Sequence, residues 1–182
     1  MLPATGRHMI QSEKRLVFSA KDIGRQVKRL AEQISADYQG KDIVLVGVLK
    51  GAFVFLADLA RQLTIPAQLE FVRLTSYGAG TESSGKIRIT TDVESDLTDR
   101  DVLIVEDIVD SGLTTTFLLE HLSAKNPSSL RICTLLDKTE RRSVSVPLDY
   151  VGLHLDKGFV VGYGLDCNED HRQLPEIYEL IL

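Results

Sequence analysis

The chain has 182 residues, 43% hydrophobic and 26% charged, a length and balance that suit one water-soluble globular domain with a sizeable core. Its formal net charge of −5 argues against a nucleic-acid partner, whose usual footprint is a basic surface. No apolar run nears the roughly 18 residues of a membrane span, and two cysteines, Cys133 and Cys167, make no disulfide framework.

A reducing, cytoplasmic setting is expected from the cysteine usage and from the lack of a signal-peptide pattern. Met1 to Met9 carry no periodicity and read as a flexible terminus of a single domain spanning 1–182. Ser19-Ala-Lys-Asp22 resembles a capping box, with Asp where Glu or Gln is commoner. Behind it, Ile23, Val27, Leu30, Ala31 and Ile34 share one helical face, and Gly40 stops the helix. Ile43 to Val48 reads as a buried strand and Phe53 to Leu63 as an apolar helix closed before Pro66. Gln68 to Leu74 and Lys86 to Thr91 alternate as strands around a polar, glycine-rich segment. Val102 to Val105 is predicted as the central strand and Thr114 to Ala124 as its helix. Strands follow at Leu130 to Leu136, Tyr150 to Leu155 and Phe159 to Tyr163. Strands alternating with helices predict an α/β fold on a parallel sheet.

The most informative stretch is Val102 to Thr116. Four apolar residues end in Glu106 and Asp107, a third acid follows at Asp110, and Ser111-Gly112-Leu113-Thr114-Thr115 opens the next helix. The turn after a buried parallel strand lies where open α/β sheets bind ligands. Gly112 admits an anion close to the backbone, and the helix start offers free N–H groups and a positive dipole end. The three acids repel phosphate and suit sugar hydroxyls, a metal ion or a proton in transit. Phosphate, diol and metal together point to a phosphorylated sugar. Acids and hydroxyls at a strand end also serve as plain caps and solvated turns. A near P-loop at Gly80 to Ile87 is set aside, because Ile87 stands where Ser or Thr binds magnesium and a strand pattern follows.

Glu106-Asp-Ile-Val-Asp-Ser-Gly-Leu-Thr114 resembles the phosphoribosyl-pyrophosphate (PRPP) motif of type I phosphoribosyltransferases. The match runs from about Lys21 to Pro175 and takes in residues 48–52, 75–78, 135–138 and 159–166, which read VLKGA, TSYG, LLDK and FVVGYGLD. Within that family the chain is similar to the purine salvage enzymes acting on hypoxanthine and guanine. The resemblance implies a parallel-sheet type I phosphoribosyltransferase fold with a small hood formed from the terminal segments. It implies transfer from PRPP to hypoxanthine or guanine, giving IMP or GMP and pyrophosphate, with Mg²⁺ as cofactor and a homodimer or homotetramer. Neither nucleic acid nor membrane is an expected partner.

The same resemblance assigns the residues. Glu106 and Asp107 hold the ribose hydroxyls, near or through the metal, and Asp110 exchanges a proton with the purine N7. Ser111, Gly112, Leu113 and Thr114 wrap the 5′-phosphate. Lys50 and Gly51 meet pyrophosphate, with a non-proline cis peptide between Leu49 and Lys50; a lysine there is otherwise a solvated loop charge. Ser76 and Tyr77 belong to a lid over the pyrophosphate, the alternative being a plain hairpin loop over 76–85. Lys138, by default a surface lysine, donates to the purine O6 and leaves adenine's amino group without an acceptor. Phe159 stacks on the base, unless it is a core aromatic, and Val160 meets the base edge through its backbone. Asp166 is a second metal ligand and Arg172 a pyrophosphate contact. The chain departs from the pattern at Gly158, Cys167 and His171, around the base and pyrophosphate pocket.

Other readings remain. Transferases for adenine or orotate share the acidic pair but usually lack an acid matching Asp110, whereas xanthine stays open as a substrate beside hypoxanthine and guanine. A PRPP-sensing RNA-binding regulator calls for clustered cations, and only Lys138, Arg141 and Arg142 cluster. A phospho-receiver domain needs acids after the first strand, which ends instead in Leu49-Lys50.

Overall fold

Residues 43–49, six of them buried, form the middle of the main sheet in the computed structural model, which describes residues 13–77 and 86–181. In chain order the elements are β1 (Glu13–Phe18), α1 (Ala20–Asp37), β2 (Ile43–Leu49), α2 (Phe53–Gln62), β3 (Ala67–Tyr77) and β4 (Lys86–Thr91). Then come β5 (Asp101–Val109), α3 (Leu113–Ser123), β6 (Ser129–Lys138), β7 (Tyr150–Leu155), β8 (Val160–Val161) and β9 (Ile177–Ile181).

The six-stranded sheet has the order β4-β3-β2-β5-β6-β7, parallel except for the edge strand β4. Strand alternation divides its core in two. Leu45, Leu103 and Val105 pack with Ile23, Leu30, Phe55 and Leu59 of α1 and α2. Val44, Val46, Val102 and Ile104 pack on the other face with Leu118 and Leu122 of α3. Helices on both faces are what near-continuous apolar strands require. Each fully buried Leu or Ile contributes about 1.5–3 kcal/mol relative to exposure.

The capping box forms as read: Ser19 Oγ accepts from Asp22 N at 3.2 Å, while Ser19 N donates to Asp22 Oδ2 at 3.4 Å. Helix α1 ends at Asp37, three residues before Gly40, whose φ of +77° turns the chain into β2.

Two expectations need correction. The central strand does not stop at the acids: β5 runs to Val109, so Glu106 and Asp107 lie inside it. Its partner β6 supplies ladder positions to the end, Glu106 opposite Thr134 and Val109 opposite Asp137, so the backbone stays extended where the apolar pattern ceases. The segment 159–163 is not a further strand of the parallel sheet. Only Val160 and Val161 are extended, and they pair with β9. There the chain must turn, with positive φ at Gly162, Tyr163 and Gly164. β8, β9 and β1 make a separate antiparallel sheet in the order β1-β9-β8, so both terminal segments meet in the small hood expected from the resemblance.

Candidate active site

The site begins where two neighbouring strands part. β2 and β5 pair in register from Ile43 opposite Asp101 to Gly47 opposite Val105. β2 then leads into the Leu49–Lys50 peptide bond, which is cis. β5 continues beside β6 and opens a notch at the carboxyl edge of the sheet. Asp107 lies in it against Gly51: a Cβ on Gly51 would sit 1.8 Å from Asp107 Oδ2. The carbonyl oxygen of Gly51 in turn lies 2.1 Å from where a Cβ of Gly164 would be. Backbone thus packs on carboxylate and backbone on backbone, and glycine at 51 and 164 follows from that closeness.

Glu106 is 4% exposed, and burial together with the charge of Asp107 pushes its carboxyl well above the usual range. Burial pushes Asp107 up to about 6, against backbone N–H donors and Arg172, with Asp166 adding to the rise. A buried carboxyl beside a second, only partly compensated one is unstable as an anion unless a cation or hydroxyl donors join the pair.

Two cavities flank the pair. One, about 230 Å³, is lined by Glu106, Asp107, Asp110, Ser111, Gly112, Thr114 and Thr115. Gly112 is the left-handed N-cap of α3 and makes no side-chain cap, so the first-turn N–H groups after that of Leu113 are left to a ligand. Leu113 contributes its backbone N–H, which reaches Ser111 Oγ at 3.3 Å, while its side chain is exposed. A Cβ at Gly112 would meet Val144 O at 2.6 Å, a second reason for glycine beyond its φ of +86°.

The other cavity, about 240 Å³, is lined by Asp107, Asp110, Lys138, Gly158, Phe159, Val160 and Asp166. Lys138 is a buried residue that closes β6, not a surface lysine; its Nζ lies 3.4 Å from Asp110 Oδ2 and 3.5 Å from Glu140 Oε2. Phe159 is exposed, not a core aromatic, and faces this cavity beside the buried Val160. The two cavities share Asp107, Ile108 and Asp110. In that shared wall Asp110 Oδ1 is buried and has no hydrogen-bond partner among the described residues.

The remaining cations meet acids. Lys50 Nζ lies 2.7 Å from Glu169 Oε2, Arg172 Nη2 lies 3.5 Å from Glu169 Oε1, and Arg172 Nη2 lies 2.8 Å from Asp166 Oδ1. Arg172 also donates to Gly164 O at 2.8 Å. Ser76 and Tyr77 close β3 with their backbones opposite Ile87 and Lys86; the rest of the expected lid, 78–85, lies outside the described residues.

The positions that depart from the family pattern have local roles. Gly158 has φ of +105°, and a Cβ there would meet Glu179 Oε1 at 2.5 Å. Cys167 bridges to Asp170, and His171 has φ of +79°, so both belong to the tight turn that carries Asp166 to Arg172. Sequence reasoning missed Glu169, Gly164 and Arg142. Arg142 donates from Nε to Asp110 O at 2.8 Å and from Nη2 to Val109 O at 2.9 Å and Lys138 O at 3.1 Å. Only the Gly-Tyr-Gly of 162–164 left a trace in the sequence, as a turn between apolar residues.

Comparisons with known proteins agree with this geometry. The family described as "Phosphoribosyl transferase domain" matches residues 17–168. The hypoxanthine-guanine phosphoribosyltransferase of Dictyostelium discoideum is 47% identical over 171 residues, 92% of this chain and 95% of that protein. The protein of the same name from Mycobacterium tuberculosis is 46% identical over 170 residues, 90% of this chain and 84% of that one. A crystal structure of a hypoxanthine-guanine phosphoribosyltransferase from Bacillus anthracis superposes with a TM-score of 0.87 at 41% identity, covering 94% of this chain and 99% of that one.

Proposed function

This chain belongs to the phosphoribosyl transferase domain family, and from that premise we propose that it transfers the 5-phosphoribosyl group of PRPP to hypoxanthine or guanine. The products are IMP or GMP and pyrophosphate. The observation that carries this reading is the unpaired, buried Asp110 Oδ1 in the wall common to both cavities. One cavity has a helix N-terminus suited to a 5′-phosphate, and the other has an ammonium and an aromatic ring suited to a 6-oxopurine.

Displacement at the anomeric carbon passes through an oxocarbenium-like state, as in glycoside cleavage. Ser111, Gly112, Leu113 and Thr114 receive the 5′-phosphate on N–H and hydroxyl donors. Glu106 and Asp107 hold the ribose hydroxyls, and their negative charge favours the developing cation. As N9 of the base bonds to the anomeric carbon, Asp110 Oδ1 accepts the proton leaving N7. Lys138 donates to O6, Phe159 stacks on the ring, and Val160 meets the base edge through its backbone. Lys50, Gly51 and Arg172 receive pyrophosphate, with Ser76 and Tyr77 above it.

The donor set fits magnesium. Glu106 and Asp107 present raised carboxyls, and Asp166 adds a third on the pyrophosphate side. Among the described residues no three His, Cys, Asp or Glu could hold a metal by themselves. Substrate oxygens and waters would therefore complete the shell, as magnesium prefers. When bound, Mg²⁺ supplies charge neutralisation for the departing pyrophosphate.

Exposed apolar side chains at Phe53, Leu69 and Phe71 support pairing with a second copy of the chain, as dimer or tetramer. The net charge of −5 supports the exclusion of nucleic acid. Among the described residues no helix is long and apolar enough to cross a membrane.

The test is a spectrophotometric assay with PRPP, Mg²⁺ and each purine in turn. Nucleotide formation from hypoxanthine or guanine but not adenine supports the reading. No turnover with any 6-oxopurine removes it.

A further inference from the structure

Arg142 lines neither cavity, yet it holds the backbone from which both reacting side chains spring. Its own amide donates to Thr139 O at 3.1 Å and closes the turn after β6. The side chain then folds back towards the sheet and is only 19% exposed. Its Nε reaches Asp110 O and its Nη2 reaches Val109 O, at the end of β5. The same Nη2 reaches Lys138 O and the carboxylate of Asp137, at the end of β6. One guanidinium thus ties two neighbouring strands together just where the ladder ends, Val109 being the last paired residue opposite Asp137.

The residues that follow extend the tie. Ser143 N and Val144 N both donate to Ser111 O, at 3.0 and 3.2 Å, and Val144 O blocks any side chain at Gly112. The far side of the phosphate turn thus rests on backbone bonds of Ser143 and Val144, which do not use the Arg142 side chain.

We propose that Arg142 is a positioning residue for the transfer, setting the spacing between the Asp110 carboxylate and the Lys138 ammonium. This rests on the roles given to Asp110 and Lys138 above. Those two groups read one edge of the planar base at its neighbouring N7 and O6 atoms, so their separation has to match the purine. Asp110 lies one residue past the last β5–β6 pair, while Lys138 is still held by its pairing with Leu155 of β7, so the Arg142 cross-tie fixes the end of β5 against a β6 already anchored on its other side. A planar fork with five fixed donors locks such geometry; a lysine, with one flexible point charge, reaches fewer of the four acceptors at once. Misplacement of a reacting group by about 1 Å costs on the order of 10²-fold in rate.

The experiment compares wild type with Arg142→Ala and Arg142→Lys. Wild-type turnover of hypoxanthine comes first; its absence removes the reading on which the proposal rests, and the proposal with it. Given that turnover, Arg142→Ala is expected to lose on the order of 10²-fold in kcat and to rise in KM for hypoxanthine. Its affinity for PRPP, measured by calorimetry with Mg²⁺ and no purine, stays within about threefold of wild type. Added guanidinium, at concentrations well below denaturing, restores part of the lost kcat to the alanine variant. Arg142→Lys keeps the charge and the stem and remains impaired, and it carries the test if the alanine variant does not fold. The proposal alone is overturned by a folded variant of either kind with kcat near wild type. It is equally overturned if kcat, PRPP affinity and thermal midpoint all fall together and guanidinium restores none of them, since that is a structural defect only.

Discussion

Gly51 and Asp107 meet with no room for a side chain between them: a methyl group on Gly51 would lie 1.8 Å from one carboxylate oxygen and 2.4 Å from its carbon. A carboxylate wedged at that distance from a neighbouring backbone cannot be displaced without reshaping the notch. Gly51→Ala is therefore expected to push Asp107 off its position and cut kcat/KM by roughly 10²-fold. Steady-state kinetics with PRPP and hypoxanthine check it; a variant within a few-fold of wild type shows that the notch can open without harm.

Asp110→Asn keeps the shape of the shared wall and removes the proton acceptor. Turnover should drop by roughly 10²–10⁴-fold, the usual contribution of a general base. PRPP should still bind, because the phosphate cradle is made by the residues after it. Rapid-quench single-turnover measurement separates chemistry from binding, and wild-type turnover in this variant dismisses the role.

Lys138→Gln exchanges an ammonium, a donor only, for an amide with both donor and acceptor. Loss of a charged hydrogen bond to O6 costs about 1.5–3 kcal/mol, roughly 10- to 150-fold in kcat/KM for hypoxanthine. The ratio of adenine to hypoxanthine use should rise, since the amide oxygen offers adenine's amino group an acceptor. Competition assays with the two bases read the ratio directly, and an unchanged ratio means that Lys138 does not read the 6-position.

At the opposite edge of the sheet, Asp101 is held below the usual carboxylate range, first by the Ser129 hydroxyl, with burial opposing and Lys41 at 3.1 Å assisting. A carboxyl lowered on folding stabilises above its unfolded value of 3.8, and that contribution disappears as the pH falls through the lower folded value. Asp101→Asn should thus be less stable than wild type at pH 7, by on the order of 1–2 kcal/mol. The two should converge in acid, below the ordinary carboxylate range. Urea midpoints at several pH values test this; a gap that persists unchanged at the acid end rejects the linkage.

Local signals were the readable ones. The Ser19–Asp22 box lies within the first turn of one helix and the 23-27-30-31-34 stripe runs over roughly its next three turns, so spacing alone locates α1. The Gly112 turn and the acids beside it were readable for the same reason. Lys138 was not: its burial depends on Asp110 and Glu140 arriving from other parts of the fold, and a lone lysine after an apolar run looks solvated. The length of β5 was hidden similarly, because β6 holds the acids extended through backbone bonds that leave no mark on side-chain hydropathy. β1 is exposed over most of its length and shows no alternation, and it becomes a strand only by pairing with β9, more than 150 residues away in the register Glu13 to Ile181. The role of Arg142 carried no pattern, since three of its targets are carbonyl oxygens that every residue possesses and the fourth is the Asp137 carboxylate at the end of β6.

Glu169 stands between Lys50 and Arg172, holding both by its carboxylate. Any anion that comes to those two cations therefore competes with one already in place. Occupation becomes an exchange of like for like, with little net charge gained by the cleft. Affinity on that side should consequently vary less steeply with ionic strength than two bare cations would dictate, and the loop bearing Glu169 must shift whenever the exchange takes place.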